Sequence, residues 1–167
     1  MATTVADFIA ETRRILYAEP DHNGRKKLVL AVRRALQDPG FVAEALPPGT
    51  PERKIIYEDA TYGFTILAHA YVGAKGGTPH DHAAGWAIYG QAEGETIMTD
   101  YDCLARPDGV TPGKAKPTRD YTLKPGDAYL YEPGVLHSPH RNGATRLLRI
   151  EGLNMEKFKR LPYERVA

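Results

Sequence analysis

The chain has 167 residues, with 22 Lys and Arg against 21 Asp and Glu, and one cysteine. That length can bury one substantial core, and the near-balance of charge excludes a global field that would recruit nucleic acid or an anionic membrane, pointing to a small partner. The lone Cys103 excludes an internal disulfide framework and a multi-thiolate zinc site, fits a reducing compartment, and is expected to be half-buried in the core.

The opening residues, MATTVADFIAETRR, carry two acids and no continuous apolar block, unlike a secretory leader. No later run approaches the roughly 20 apolar residues of a membrane span, so a soluble, cytoplasmic protein is expected. From Val5 to about Leu46 apolar residues recur at helical spacing: Val5, Phe8, Ile9 and Leu16, then Leu28, Val29, Val32 and Leu36 after PDHNG. Two helices are predicted, the first capped by Thr4 and the second stopped by DPG at 38–40, with a further helical turn in FVAEAL. PPGTPERK ends the helical part.

After Lys54 the pattern changes to short runs rich in Tyr, Ile, Val, Leu and Thr between Gly and Pro turns, the signature of an antiparallel sandwich or barrel. Strands are expected near 53–58, 63–72, 84–91, 95–103, 119–123, 127–131 and 145–151. The stretch 106–118, rich in Pro, Gly and Lys, reads as an exposed loop. The expected organisation is one domain over 1–167: a helical part over 1–50, a barrel over 53–151 and a tail over 152–167.

The chain has six histidines. His22 lies in a polar turn between the helices and reads as solvated. His69, in FTILAHAYV, shares a face with Thr65, Leu67 and Tyr71 and is a candidate to line a pocket. His80 and His82 stand two apart, so on an extended chain both imidazoles point the same way and can reach one ion if a third ligand arrives from another strand. GDAYLYEPGVLHSPHRN offers that ligand: a Gly-Asp turn feeds a strand, Pro133-Gly134 follows, and then His137. His140 reads as a surface or supporting residue, and Trp86 as core packing.

These two segments resemble the cupin motifs. The first is met by His80-Asp81-His82, four residues, Ala87 where a glutamate would stand, six residues and Gly94. The second is matched by Gly126, Pro133, Gly134 and His137, with Pro133 displaced by one position and Asn142 one residue late. The resemblance covers roughly 53–151 and implies a mainly β fold, the cupin double-stranded β-helix or jelly-roll barrel, behind two or three N-terminal helices. Its metal would be held by His80, His82 and His137. Without a carboxylate ligand the ion keeps its full charge and about three open positions, which suits iron(II), an anionic substrate and dioxygen. Zinc, nickel or manganese could sit on the same ligands and activate water or polarise a carbonyl.

Within the cupins, the helical N-terminus, HDH, the absent glutamate and GWAIYGQAEGE are most similar to cysteine-dioxygenase-like proteins. That resemblance implies an arginine on an early strand to hold a substrate carboxylate, a slot that falls at Lys54 or Arg53. The family's Ser-x-His-x-Tyr motif falls at 147–151, here LLRIE, with no tyrosine. The cysteine of the crosslink found in some members falls at Ala87. Period two puts Arg149 and Glu151 on the face of Leu147. If that face is the interior, they are either a buried structural pair or a substrate clamp and a base. Tyr89 and Gln91 share parity with Ala87 and could line the same pocket.

The function expected is a mononuclear iron(II) dioxygenase acting on a small anion such as a thiol carboxylic acid. The partners are then a small-molecule substrate and dioxygen, with a homodimer left open. The alternatives are a metal-dependent isomerase, lyase or hydrolase, and a cupin that binds a small ligand without chemistry.

Overall fold

The computed structural model describes residues 3–167. Three helices come first: α1 (Val5–Ala18), α2 (His22–Leu36) and α3 (Pro39–Ala45). Each start is set by a side chain that accepts orphan backbone N–H groups. Thr4 and Asp7 form a reciprocal capping box on α1, and Asp21 and Asp38 cap α2 and α3. The DPG signal therefore does two things, since α2 ends before it and Pro39 opens a full third helix.

Ten strands follow: β1 (Lys54–Glu58), β2 (Thr65–Tyr71), β3 (Lys75–Gly76), β4 (Ala87–Glu93), β5 (Thr96–Ala105), β6 (Gly113–Leu123), β7 (Ala128–Tyr131), β8 (His137–Arg141), β9 (Thr145–Glu151) and β10 (Tyr163–Arg165). They form two five-stranded sheets, ordered β1-β2-β9-β4-β7 and β10-β6-β5-β8-β3. Every pairing is antiparallel except β10 with β6. Chain-distant strands lie side by side while the path alternates between sheets, which is the double-stranded β-helix form of the jelly roll.

The first sheet is buried on both faces. Ile66, Ala68, Ile88, Leu148 and Ile150 point outward into a core with Phe8, Leu28, Val32, Leu36 and Phe41 of the helices. The alternate residues, among them Ala87, Tyr89 and Tyr131, point inward and meet Met98 and Leu123 of the second sheet. This explains why β2, β4 and β9 are buried almost throughout although they alternate in polarity.

Four expectations are corrected by the structure. The segment 106–118 is only half a loop, because β6 begins at Gly113 and pairs with β5; its Pro117 is accommodated opposite Tyr101, beside a register shift. Cys103 is exposed, since β5 runs outward as a hairpin arm in which four successive residues, Asp102 to Ala105, are exposed. HSPHR, over which the sequence predicts no strand, is strand β8. The terminal segment carries a strand, β10, whose Tyr163 packs with Tyr101, Ala115 and Leu136.

Gly90 lets α2 approach the sheet: a Cβ there would lie 2.7 Å from Val32 Cγ1 and 3.2 Å from the Leu148 carbonyl oxygen. Gly90→Val should therefore cost about 2 kcal/mol or more by overpacking, read from urea unfolding. An unchanged midpoint would mean that α2 is not seated as tightly as described.

Candidate metal centre

The site begins with one backbone contact. His80, just outside β3, and His137, the first residue of β8, exchange both N–H···O bonds at 3.0 Å, so their side chains leave on the same side. The chain then turns sharply. Asp81 Oδ1 accepts from Ala83 N–H at 2.9 Å, Ala83 adopts φ 51°, and Gly85 N–H closes on the His82 carbonyl at 2.8 Å. The turn carries His82 beneath the other two rings. One ring nitrogen of each of His80, His82 and His137 lies within 4.8 Å of the others.

Two of the three rings have fixed tautomers. His80 Nδ1 donates to the Thr78 carbonyl at 2.9 Å and His137 Nδ1 donates to the Val135 carbonyl at 3.0 Å, which leaves both Nε2 atoms unprotonated. Burial is the main force holding all three rings neutral. It pushes His80 down to about 4 and, with mutual repulsion among the rings, holds His82 and His137 well below the ordinary histidine range. Three neutral, convergent imidazoles form a donor set that fits a divalent transition metal. Ala87 is fully buried and brings no ligand to this set.

Tyr89 belongs to the same cluster. Its hydroxyl lies 3.2 Å from Nε2 of both His82 and His137, and burial raises its pKa, so the phenol keeps its proton. Its register partner on β9 is Arg149, whose guanidinium lies 4.1 Å from the Tyr89 ring centroid. Burial works against the charge of Arg149, but Tyr89 and Glu151 outweigh it and raise the pKa. Arg149 Nη1 is 3.5 Å from Glu151, and Arg53 Nη2 reaches the other Glu151 oxygen at 3.6 Å. Both contacts are long for charge-assisted bonds, and neither Arg149 Nε nor Glu151 Oε2 has a hydrogen-bond partner. Beside them opens a cavity of about 360 Å³ whose rim includes Arg53, Met155, Phe158 and Arg160.

The sequence-derived candidates thus fall into two groups. His80, His82, His137, Tyr89, Arg149, Glu151 and Arg53 are brought together. Lys54 is exposed, at the register position of outward-facing Ala68, so of the two early cations only Arg53 approaches the site. Gln91 is buried, but its amide is engaged by Thr96 Oγ1 and the Glu93 carbonyl. His22 lies at the exposed start of α2 beside Glu132, and exposed His140 bonds Asn142. Trp86 packs against the helical core, close over Gly152. The larger groove of the chain, about 820 Å³ between α2 and β7, is remote from this chemistry in the residues that line it.

No family model matches the chain, and no curated protein matches it in sequence. Among solved structures it is similar to a cupin-2 domain protein of Shewanella frigidimarina, at 17% identity over 59% of this chain and 76% of that one, with a TM-score of 0.42. A cupin superfamily protein of Desulfitobacterium hafniense aligns at 14% identity over 66% and 96%, with a TM-score of 0.45. KdgF of Halomonas sp. aligns at 17% identity over 64% and 82%, with a TM-score of 0.44. The assignment of the double-stranded β-helix stands on the strand order itself. Among the described residues no helix is long and apolar enough to cross a membrane.

Sequence reading missed Arg141 and Tyr71. Once β8 is a strand, period two places His137, Pro139 and Arg141 on its buried side and leaves His140 exposed. The missing signal was the strand, disguised by a proline and four polar residues in five.

His69 is buried inside the barrel, with Nδ1 3.2 Å from the Tyr71 hydroxyl. Burial, then Arg149, push its pKa down to about 2, and the Glu52 carbonyl, which opposes the shift, closes no full hydrogen bond with Nε2. Below pH 6.5 the unfolded chain therefore takes up a proton that the folded chain refuses, and stability falls as pH falls, by about 1.4 kcal/mol per unit. Between pH 6.5 and 5 the metal-free His69→Gln variant should lose about 2 kcal/mol less than the wild type in urea unfolding. Equal losses would show that His69 protonates in the fold.

Proposed function

We propose that this protein is a metal-dependent enzyme acting on a small substrate that bears an acid group, with mononuclear iron(II) and dioxygen as its chemistry. One chain of contacts carries this reading: Arg149 lies over Tyr89, and the Tyr89 hydroxyl touches two of the three histidines. An acid group bound by Arg149 is thereby placed one aromatic ring away from the metal position. Iron is supported by the ligand set, three neutral imidazoles with no carboxylate at Ala87. When bound, the ion supplies Lewis acidity and, as iron(II), a place for dioxygen.

The remaining roles belong to side chains. Arg149 holds the acid group through its planar fork. Tyr89, kept protonated, donates a hydrogen bond to a substrate heteroatom. Glu151 lies between Arg149 and Arg53 and orients both, and Met155 and Phe158 give the rim its apolar surface. A small thiol carboxylic acid fits the resemblance to cysteine-dioxygenase-like proteins. The phenol that those proteins carry on the strand after the third ligand is absent from β9, and Tyr89 supplies one from neighbouring β4. One observation favours the zinc, nickel or manganese reading: buried Glu151 Oε2 has no hydrogen-bond donor, as suits a general base.

With iron(II) loaded anaerobically, small thiol acids should drive oxygen uptake. Arg149→Lys should then raise KM about tenfold or more while kcat changes little. Turnover that proceeds with zinc and without oxygen would replace this chemistry by the Lewis-acid reading, and an unchanged KM in a well-folded Arg149→Lys protein would remove Arg149 as the anchor.

A further inference from the structure

Arg141 is the least satisfied charged group of the barrel interior. It leaves β8 on the same side as His137, is 2% exposed, and stacks its guanidinium 4.2 Å from the Tyr71 ring centroid. Its Nε and Nη2 have no hydrogen-bond partner, and among the described residues no carboxylate forms an ion pair with it. The other fully buried charges differ. Asp59 accepts from Tyr17, Tyr57 and two backbone N–H groups, and Glu151 lies between two arginines. Glu52, which acts electrostatically on Arg141, is itself exposed and paired with Lys75. Arg141 and Arg149 both enter the barrel interior, each stacked on an inward-facing tyrosine, Tyr71 and Tyr89, and each with an unpartnered Nε; burial, and repulsion from Arg149, depress the proton affinity of Arg141. Stacking on Tyr71 offsets part of the cost but leaves the N–H groups unpaired.

We infer that Arg141 is a second anion-binding position, so that the substrate of the metal site is a small molecule with two acid groups, one on Arg149 and one on Arg141. The inference rests on the proposed function and narrows its substrate class. A dianion between the two arginines removes their repulsion and supplies acceptors to the free Nε and Nη2. His69, neutral and bonded to Tyr71, forms an uncharged wall beside them that does not compete for the anion.

The test uses metal-loaded protein and calorimetric titration with acetate and propionate against malonate, succinate and glutarate. One dicarboxylate should bind about tenfold or more tighter than either monocarboxylate. Arg141→Met should reduce that dicarboxylate to the monocarboxylate level, and Arg141→Lys, which keeps charge but not the fork, should retain only part of the gain. In the absence of any acid, Arg141→Met should melt no lower than wild type, because an apolar side chain replaces an unpaired buried cation; a structural arginine would show a clear drop. If monocarboxylates bind wild type and weaken on Arg149→Gln while no dicarboxylate gains, the second position is wrong and the proposed function stands. If no acid binds wild type, both fail. The wild-type panel decides the matter even if a variant does not fold.

Discussion

The reciprocal pair of hydrogen bonds between His80 and His137 is the contact on which the candidate metal centre depends. It is a single bridge outside the regular ladders, yet it fixes two ligands side by side and sets the start of the turn that delivers the third. Asp81, between the two histidines of the motif, has a backbone task, since its carboxylate holds the Ala83 N–H in a left-handed turn. Beyond His137, β8 is pinned to β5 from Asp100 to Ile97, which anchors the bridge to the second sheet. The ligands therefore meet through backbone geometry, and their side chains need only point along it.

The helices make the interior chemistry affordable. Because α1 to α3 cover the outer face of the first sheet, its apolar residues secure the fold there, and the inner face is released to hold Tyr89, Arg149, Glu151 and His69. Polar and ionisable groups in such a place cost stability unless they are paired. Here several are only partly paired: Arg149 and Glu151 meet at 3.5 Å, and Arg141 keeps two free nitrogens. The proposed acid-bearing ligand would supply the acceptors that the two arginines lack. The interior's buried cations, Arg141 and Arg149, outnumber its buried carboxylate, Glu151, a balance that suits the proposed anionic ligand.

The sequence made the fold legible where polarity and turn signals agreed. The Thr4 cap, alternation in TILAHAY and the Gly-Pro turns placed most elements, and the two histidine segments picked out the three side chains that converge. It failed where side-chain chemistry masked backbone pairing. No strand is predicted over HSPHR because its residues are polar, although its neighbours β5 and β3 supply the ladder. GKAKPT looked like a loop because its strand pairs along a hairpin arm. Parity alone brought Tyr89, Arg149 and Glu151 inward, but only tertiary packing could tell that Arg53 reaches the site while Lys54 turns to solvent, or that Gln91 is already engaged.

X-ray absorption on protein loaded with one equivalent of iron(II), compared with His137→Ala, tests the central claim most directly. Three imidazole nitrogens near about 2.1 Å should surround the ion in the wild type, and His137→Ala should retain little metal. Equal metal content in both proteins, or a first shell with fewer than three imidazoles, would contradict the convergence of His80, His82 and His137 on a single ion.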